Sequence, residues 1–173
     1  MSRSPSHDDR EHDMTSASAS PGARLRSTWA TCSRLPGGRW LFNQALRMIA
    51  PYSGAVGARI EQFEPGYVRL TLKDRRAVRN HLNSVHAIAL ANIAEMASGL
   101  AMLSGLPDTV RGIPTAISIQ YLKKARGLLT AEARVAIPDV TGDTPYDVTV
   151  TVKDEAGDEV ARATINWKLG PVK

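Results

Sequence analysis

Glu95 is the one formally charged side chain between Arg79 and Asp108, in a run from Asn80 to Leu106 rich in Ala, Leu, Ile and Met. An ionised carboxylate among such residues is costly unless something compensates it, and carboxyls perturbed in this way collect at working sites. Such a group can act as a general base or as a nucleophile. Asn92 and Ser98 stand three residues to either side, so on a helix they flank Glu95 and can orient it or a water molecule. The competing structural explanation is a Glu that reaches a subunit interface or hydrogen-bonds neighbouring backbone.

The element that must position these residues is a helix from about His86 to Leu103. Good helix formers fill it, and its apolar residues cover nearly the whole circumference, which marks a helix wrapped by protein rather than one lying on a surface. It is not read as a membrane span: Asn92, Glu95 and Ser98 interrupt it, and a span needs about 20 predominantly apolar residues. The amino end of this helix offers unpaired N–H groups and the positive end of a dipole, where a developing oxyanion would be stabilised. His86 at that end is better suited to positioning or backbone bonding than to proton transfer. His81 and His86 lack a third ligand for zinc, so no metal site is expected. Ser84 precedes no glycine elbow, which removes support for a serine nucleophile.

The chain has 173 residues, 43% hydrophobic and 23% charged, enough for one domain with a proper core. Its single cysteine, Cys32, allows no internal disulfide and fits a cytoplasmic location. Of the formal net charge of +5, the first 38 residues contribute five Arg against four Asp or Glu, so the basicity belongs to residues 39–173. That excess suits an anionic small ligand. It is too mild for nucleic acid, and no aromatic and basic interleaving supports one.

Residues 1–37 are rich in Ser, Ala, Pro and Gly, too poor in apolar groups to repay ordering, and are expected to form a disordered tail. The tail holds no secretory apolar run, and His7 and His12 within it are expected to be solvated. The domain is expected over 38–173. From Gly38 to Ala50, Leu41, Phe42, Ala45, Met48 and Ile49 recur at helical spacing, and Pro51 ends the helix. Strands follow at Ala55 to Phe63 and Tyr67 to Leu72, joined by the Glu64-Pro65-Gly66 turn. After the central helix come strands at Thr115 to Leu122, Leu128 to Ile137, Tyr146 to Lys153 and Glu159 to Trp167. An α+β arrangement results, a curved, mostly antiparallel sheet of about six strands around one long helix, with an extra N-terminal helix. One such sheet leaves an edge and an end of the helix open, so a second copy is expected to complete the burial.

Over residues 38 to 170, this order of elements and the Asn80 to Glu95 motif resemble the hotdog fold. Within it they resemble the acyl-CoA thioesterases of the 4-hydroxybenzoyl-CoA and phenylacetate-degradation type. Those families open the central helix with Asn-x-x-Gly-x-x-His-Gly-Gly and place an Asp or Glu nine residues after the His; Asn80, His86 and Glu95 fall in that register. The run Gln120-Tyr121-Leu122-Lys123-Lys124-Ala125-Arg126 is similar to the family's strand end. The two glycines are replaced by Ala87 and Ile88 and the central one by Asn83, and the Pro51-Tyr52 pair after the first helix with Arg79-Asn80-His81 before the central one gives a look closer to bacterial hotdog proteins described only as thioesterase-like.

The resemblance implies hydrolysis of acyl-CoA to free acid and coenzyme A, with no cofactor beyond the coenzyme A of the substrate. It implies that the backbone N–H at Ala87 polarises the thioester carbonyl and that Asn80 holds the carbonyl or a water. Asn80 has an equally good role as a loop residue bracing its turn. Ala87 and Glu95 are eight residues apart, about 12 Å along a helix, so one carbonyl carbon cannot meet both. A site using both takes Glu95 from a second, antiparallel helix, in a homodimer or a dimer of dimers. Lys123, Lys124 and Arg126, or Arg75, Arg76 and Arg79, could meet the phosphates of coenzyme A, and a solvated strand end explains them as well. Two other readings remain: a non-catalytic acyl-CoA or fatty-acyl binding module, and, last, a hotdog hydratase, for which an acid at the helix entrance is missing.

Overall fold

Six strands, β1 (Arg59–Glu64), β2 (Tyr67–Lys73), β3 (Val110–Tyr121), β4 (Leu128–Arg134), β5 (Thr144–Lys153) and β6 (Glu159–Pro171), form one antiparallel sheet in a computed structural model that describes residues 21–172. The strand order is β1-β2-β4-β5-β6-β3, which leaves β1 and β3 as edges. Four helices join it: α1 (Pro21–Cys32), α2 (Gly38–Ile49), the short α3 (Pro51–Ala55) and the 19-residue α4 (Ala87–Gly105). Helix α4 packs against β2, β4 and β5 and, less extensively, β3 and β6. This is the hotdog fold.

Period-two patterning decides which way each strand faces. Val68, Leu70 and Leu72 of β2, Ala131 and Ala133 of β4, Val148, Val150 and Val152 of β5 and Ile165 of β6 are all essentially inaccessible. They meet Ile93, Ala94, Ala97, Ala101 and Met102 of α4, whose small residues let the helix lie close to the sheet. The turn between β1 and β2 places Gly66 at φ 70°, which a type II turn requires at its third position. Gly66 N–H also donates to the hydroxyl of Ser104 at 3.0 Å, fastening this turn to the end of α4.

Three expectations are corrected. The stretch read as an unstructured tail is helical from Pro21, and residues 1–20, with His7 and His12, lie outside the described residues. Helix α1 orders because Leu25, Trp29 and Cys32 recur on one side, and the Trp29 ring meets Phe42 edge-on at 5.1 Å and Phe63 at 6.5 Å. Helix α2 is amphipathic as expected, but its buried residues include Phe42, Asn43 and Leu46, while Leu41, Met48 and Ile49 are exposed. Pro51 ends α2 and then opens α3, where its missing N–H is not needed. The segment from Ala55 is therefore helix and turn until β1 begins at Arg59.

Candidate active site

The approach to α4 is built by the loop after β2. The side-chain oxygen of Asn80 accepts from Leu82 N–H at 2.9 Å and Ser84 N–H at 3.2 Å, and Asn83 takes φ 53°, a left-handed position that Asn tolerates. The bracing role of Asn80 is thus the one these bonds fill. His86 N–H donates to Val78 O at 2.7 Å, and its Nδ1 accepts from Ile88 N–H at 3.1 Å, so His86 caps the helix. Ala89 and Leu90 donate to His86 O. The Ala87 N–H, first of the helix, has no acceptor within it.

A cavity of about 350 Å³ opens at this helix tip, lined by Asn80, Ala87, Leu90, Tyr121, Lys123 and Lys124 among others. Four expected site residues meet there. The Tyr121 hydroxyl donates to Ala87 O at 3.2 Å and ties the strand end to the helix start. Lys123 is engaged by Asp154 at 2.8 Å and Asp158 at 2.5 Å in the β5–β6 turn, and those carboxylates hold its pKa above the ordinary lysine value. Lys124 is exposed with no ion pair among the described residues. Arg79 is paired with Asp74 at 2.6 Å, and Arg126 donates to Asn83 O at 3.1 Å, so both brace the entrance loop and neither lines this cavity. Arg75 likewise donates to Ala55 O and Val56 O, at 3.2 and 2.9 Å.

Glu95 lies two turns further along α4, at the side of the helix that the sheet leaves uncovered. Ile88, Ala91, Glu95, Gly99 and Leu103 form this stripe, each partly or fully exposed. Burial pushes the Glu95 carboxyl above the usual glutamate value, and among the described residues it has no hydrogen-bond or ion-pair partner. Its side chain stands in the walls of two cavities. One, of about 150 Å³, lies toward α2 and α3 and is lined by Leu46, Met96 and Leu100 among others. The second, of about 460 Å³, lies toward β3 and β6 and is lined by Met102, Leu106, Val110 and Trp167 among others.

The two flanking residues behave differently from expectation. Ser98 is fully buried and its hydroxyl accepts from the Trp167 indole N–H at 2.8 Å, so it positions a cavity wall and not the carboxylate. Asn92 is buried, and its Oδ1 has no hydrogen-bond partner among the described residues. An acceptor in that state calls for a donor from outside the chain. Trp167 and Gly99 are site residues that sequence reasoning did not find; the Ser98 and Trp167 partners lie 69 residues apart with no linear motif between them.

Solved structures share this fold. The structural-genomics protein APC5556 superposes with a TM-score of 0.76 at 29% identity, over 87% of this chain and all of that one. A Pseudomonas aeruginosa protein, PA5026, described as of unknown function and a probable thioesterase, gives 0.68 at 25% identity over 80% and 97% of the two chains. The protein smu.793 of Streptococcus mutans, solved bound to acetyl-CoA, gives 0.58 at 27% identity over 68% and 92%. No curated protein matches the sequence. Residues 38–169 match the family model described as a domain of unknown function, DUF4442. With its central helix, its helix-tip loop and all of its sheet but the last two residues of β6 inside that matched span, the chain belongs to the DUF4442 family and carries it on a thioesterase-like hotdog fold.

Proposed function

We propose that the protein is an acyl-CoA thioesterase that works as a homodimer, with Glu95 as general base. The observation that carries this reading is the partnerless carboxyl of Glu95, raised in pKa by burial and set between two apolar cavities. A carboxylate of raised proton affinity is a better base at neutral pH than an ordinary one, and apolar surroundings keep competing solvent out.

In this scheme the Glu95 carboxylate takes a proton from water as the oxygen attacks the thioester carbonyl carbon. The tetrahedral oxyanion is held by the Ala87 N–H of a second copy, at the positive end of that helix. Collapse breaks the carbon–sulfur bond, and the proton on Glu95 passes to the departing coenzyme A sulfur. A second copy is needed because Ala87 and Glu95 of one helix stand about 12 Å apart.

Strand β3 supports a joint of this kind. It is a 12-residue edge strand whose Ile117 pairs with the fully buried Ile165, so both share the helix-facing side, yet Ile117 is 46% exposed. The sheet's inner face thus runs on beyond α4. A second copy added at this edge would bring its own helix over that ledge and supply covering atoms for Ile117 and Tyr121. The acetyl-CoA carried by the S. mutans protein supports a coenzyme A thioester as ligand, and in this reading Lys124, which lines the helix-tip cavity, meets its phosphates.

The deciding measurement is thiol release from acyl-CoAs by the intact protein, Glu95→Ala and Glu95→Gln. Loss of the base should lower kcat by about 10² to 10⁴. Equal rates in all three would remove Glu95 from the chemistry. A second reading, an acyl-CoA binding module without hydrolysis, is favoured by Ile88, whose branched side chain is 58% exposed at the helix tip; it requires tight binding with no thiol released from any acyl-CoA.

A further inference from the structure

Gly99 occupies the middle of α4, where glycine costs helix stability and has to be explained. Crowding does not explain it. A Cβ at Gly99 would meet Glu95 Oε1 at 3.7 Å and Trp167 Cη2 at 4.0 Å, both ordinary contact distances. By contrast, a Cβ at Gly22 would overlap the Leu103 carbonyl oxygen, and one at Gly54 would stand 2.8 Å from Arg47 Cα. Those two glycines permit close packing. Gly99 instead keeps open a lane between the carboxyl and the indole edge.

The lane lies where two cavities, of about 150 and 460 Å³, share Glu95, Gly99 and Leu103 as lining. The larger is of ligand size. Its deep walls, Met102, Leu103, Leu106, Val110 and Trp167, offer no carboxylate, amide or cation, and its charged lining residues other than Glu95, Asp108 and Arg111, are exposed. An occupant with polar groups along its length would leave them unpaired. Pro21 and Gly22 of α1 complete the lining, and α1 precedes the span of 38–169 that the family model matches. Part of the cavity wall therefore comes from a helix ahead of that span.

We propose that the cavity beneath α1 receives the saturated tail of a straight-chain fatty acyl group, and that Gly99 is the specificity-determining residue that admits it past Glu95. The inference deepens the thioesterase reading and rests on it for the thioester. A polymethylene chain fits the space of one missing side chain, whereas an aromatic ring there would run into Trp167. Ser98 acts on this subsite as a positioning residue, by holding the indole.

The test compares the intact protein with Gly99→Ala and Gly99→Leu, using acetyl-, decanoyl- and phenylacetyl-CoA for hydrolysis and the non-hydrolysable decanoyl-CoA thioether for titration calorimetry. Wild type should have its highest kcat/KM on decanoyl-CoA. Gly99→Leu should lower the decanoyl to acetyl ratio at least tenfold and weaken thioether binding at least tenfold, while both variants melt at or above the wild-type temperature. A rise in melting temperature with lost chain selectivity separates this role from a packing role. An unchanged ratio together with unchanged thioether affinity overturns the proposal, as does a wild-type preference for phenylacetyl-CoA. If no thioester is cleaved but the thioether binds and Gly99→Leu weakens it tenfold, the hydrolase reading falls and the tail subsite stands.

Discussion

Glu95 ties proton affinity to both stability and rate. Its folded-state pKa is raised by burial above the ordinary 4.5, so over the interval between the two values the folded chain binds more protons than the unfolded one. Stability therefore falls as pH rises through that interval, and the full penalty persists above it. Glu95→Gln removes the titrating group, so it should melt higher than wild type at neutral pH, with the difference shrinking as pH drops toward 4.5. Thermal melts of both proteins across that range check this. As a base, Glu95 must be ionised, so the acid limb of kcat/KM should sit above the ordinary carboxylate range and vanish in Glu95→Gln. The position of Glu95 was legible because a lone charge in a long apolar run is conspicuous. The partner of Ser98 was not, since a hydroxyl buried 69 residues from its indole leaves no local trace. Asn80 was legible to two roles, and its bonds to Leu82 and Ser84 fill the bracing one.

Among the elements, α1 shows what composition conceals. Averaged over residues 1–37, Ser, Pro and Gly outweigh three apolar side chains, Leu25, Trp29 and Cys32, that nevertheless share one face. Their value depends on Phe42 and Phe63, which belong to other elements. Trp29→Ala should cost about 3 to 5 kcal/mol, read as a lower denaturation midpoint, because it empties the centre of that ring cluster. Strand boundaries erred for a related reason. Pro114 suggests a strand starting after it, but β3 begins at Val110 and absorbs the proline at an irregularity between Pro114 and Ala116, which an edge strand allows. Pro145 lies inside β5 where its pairing is to β6 alone, opposite Lys168. The sheet, the central helix and their order were legible because alternation and circumferential apolarity are strong, local signals.

At the scale of the molecule, the uncovered inner face at β3 makes assembly and activity one question. Ile117→Lys puts a charge on the ledge that a second copy would cover. It should leave the protein folded, shift it to the monomer in light scattering, and lower thiol release to the level of Glu95→Ala, because the carboxyl then lacks the second helix tip. A monomer of full activity would refute the two-copy site. The opposite edge of the sheet is treated differently. Asn43 of α2 reaches β1, accepting from Ile60 N–H at 2.7 Å and donating to Ile60 O at 3.3 Å, so a side-chain amide takes the place of a neighbouring strand. Growth by strand addition is blunted on that flank and free only at β3. A ribbon that can be extended at one end alone stops at two units, so this amide acts as a terminator against filaments, and any larger assembly has to stack such pairs through their faces.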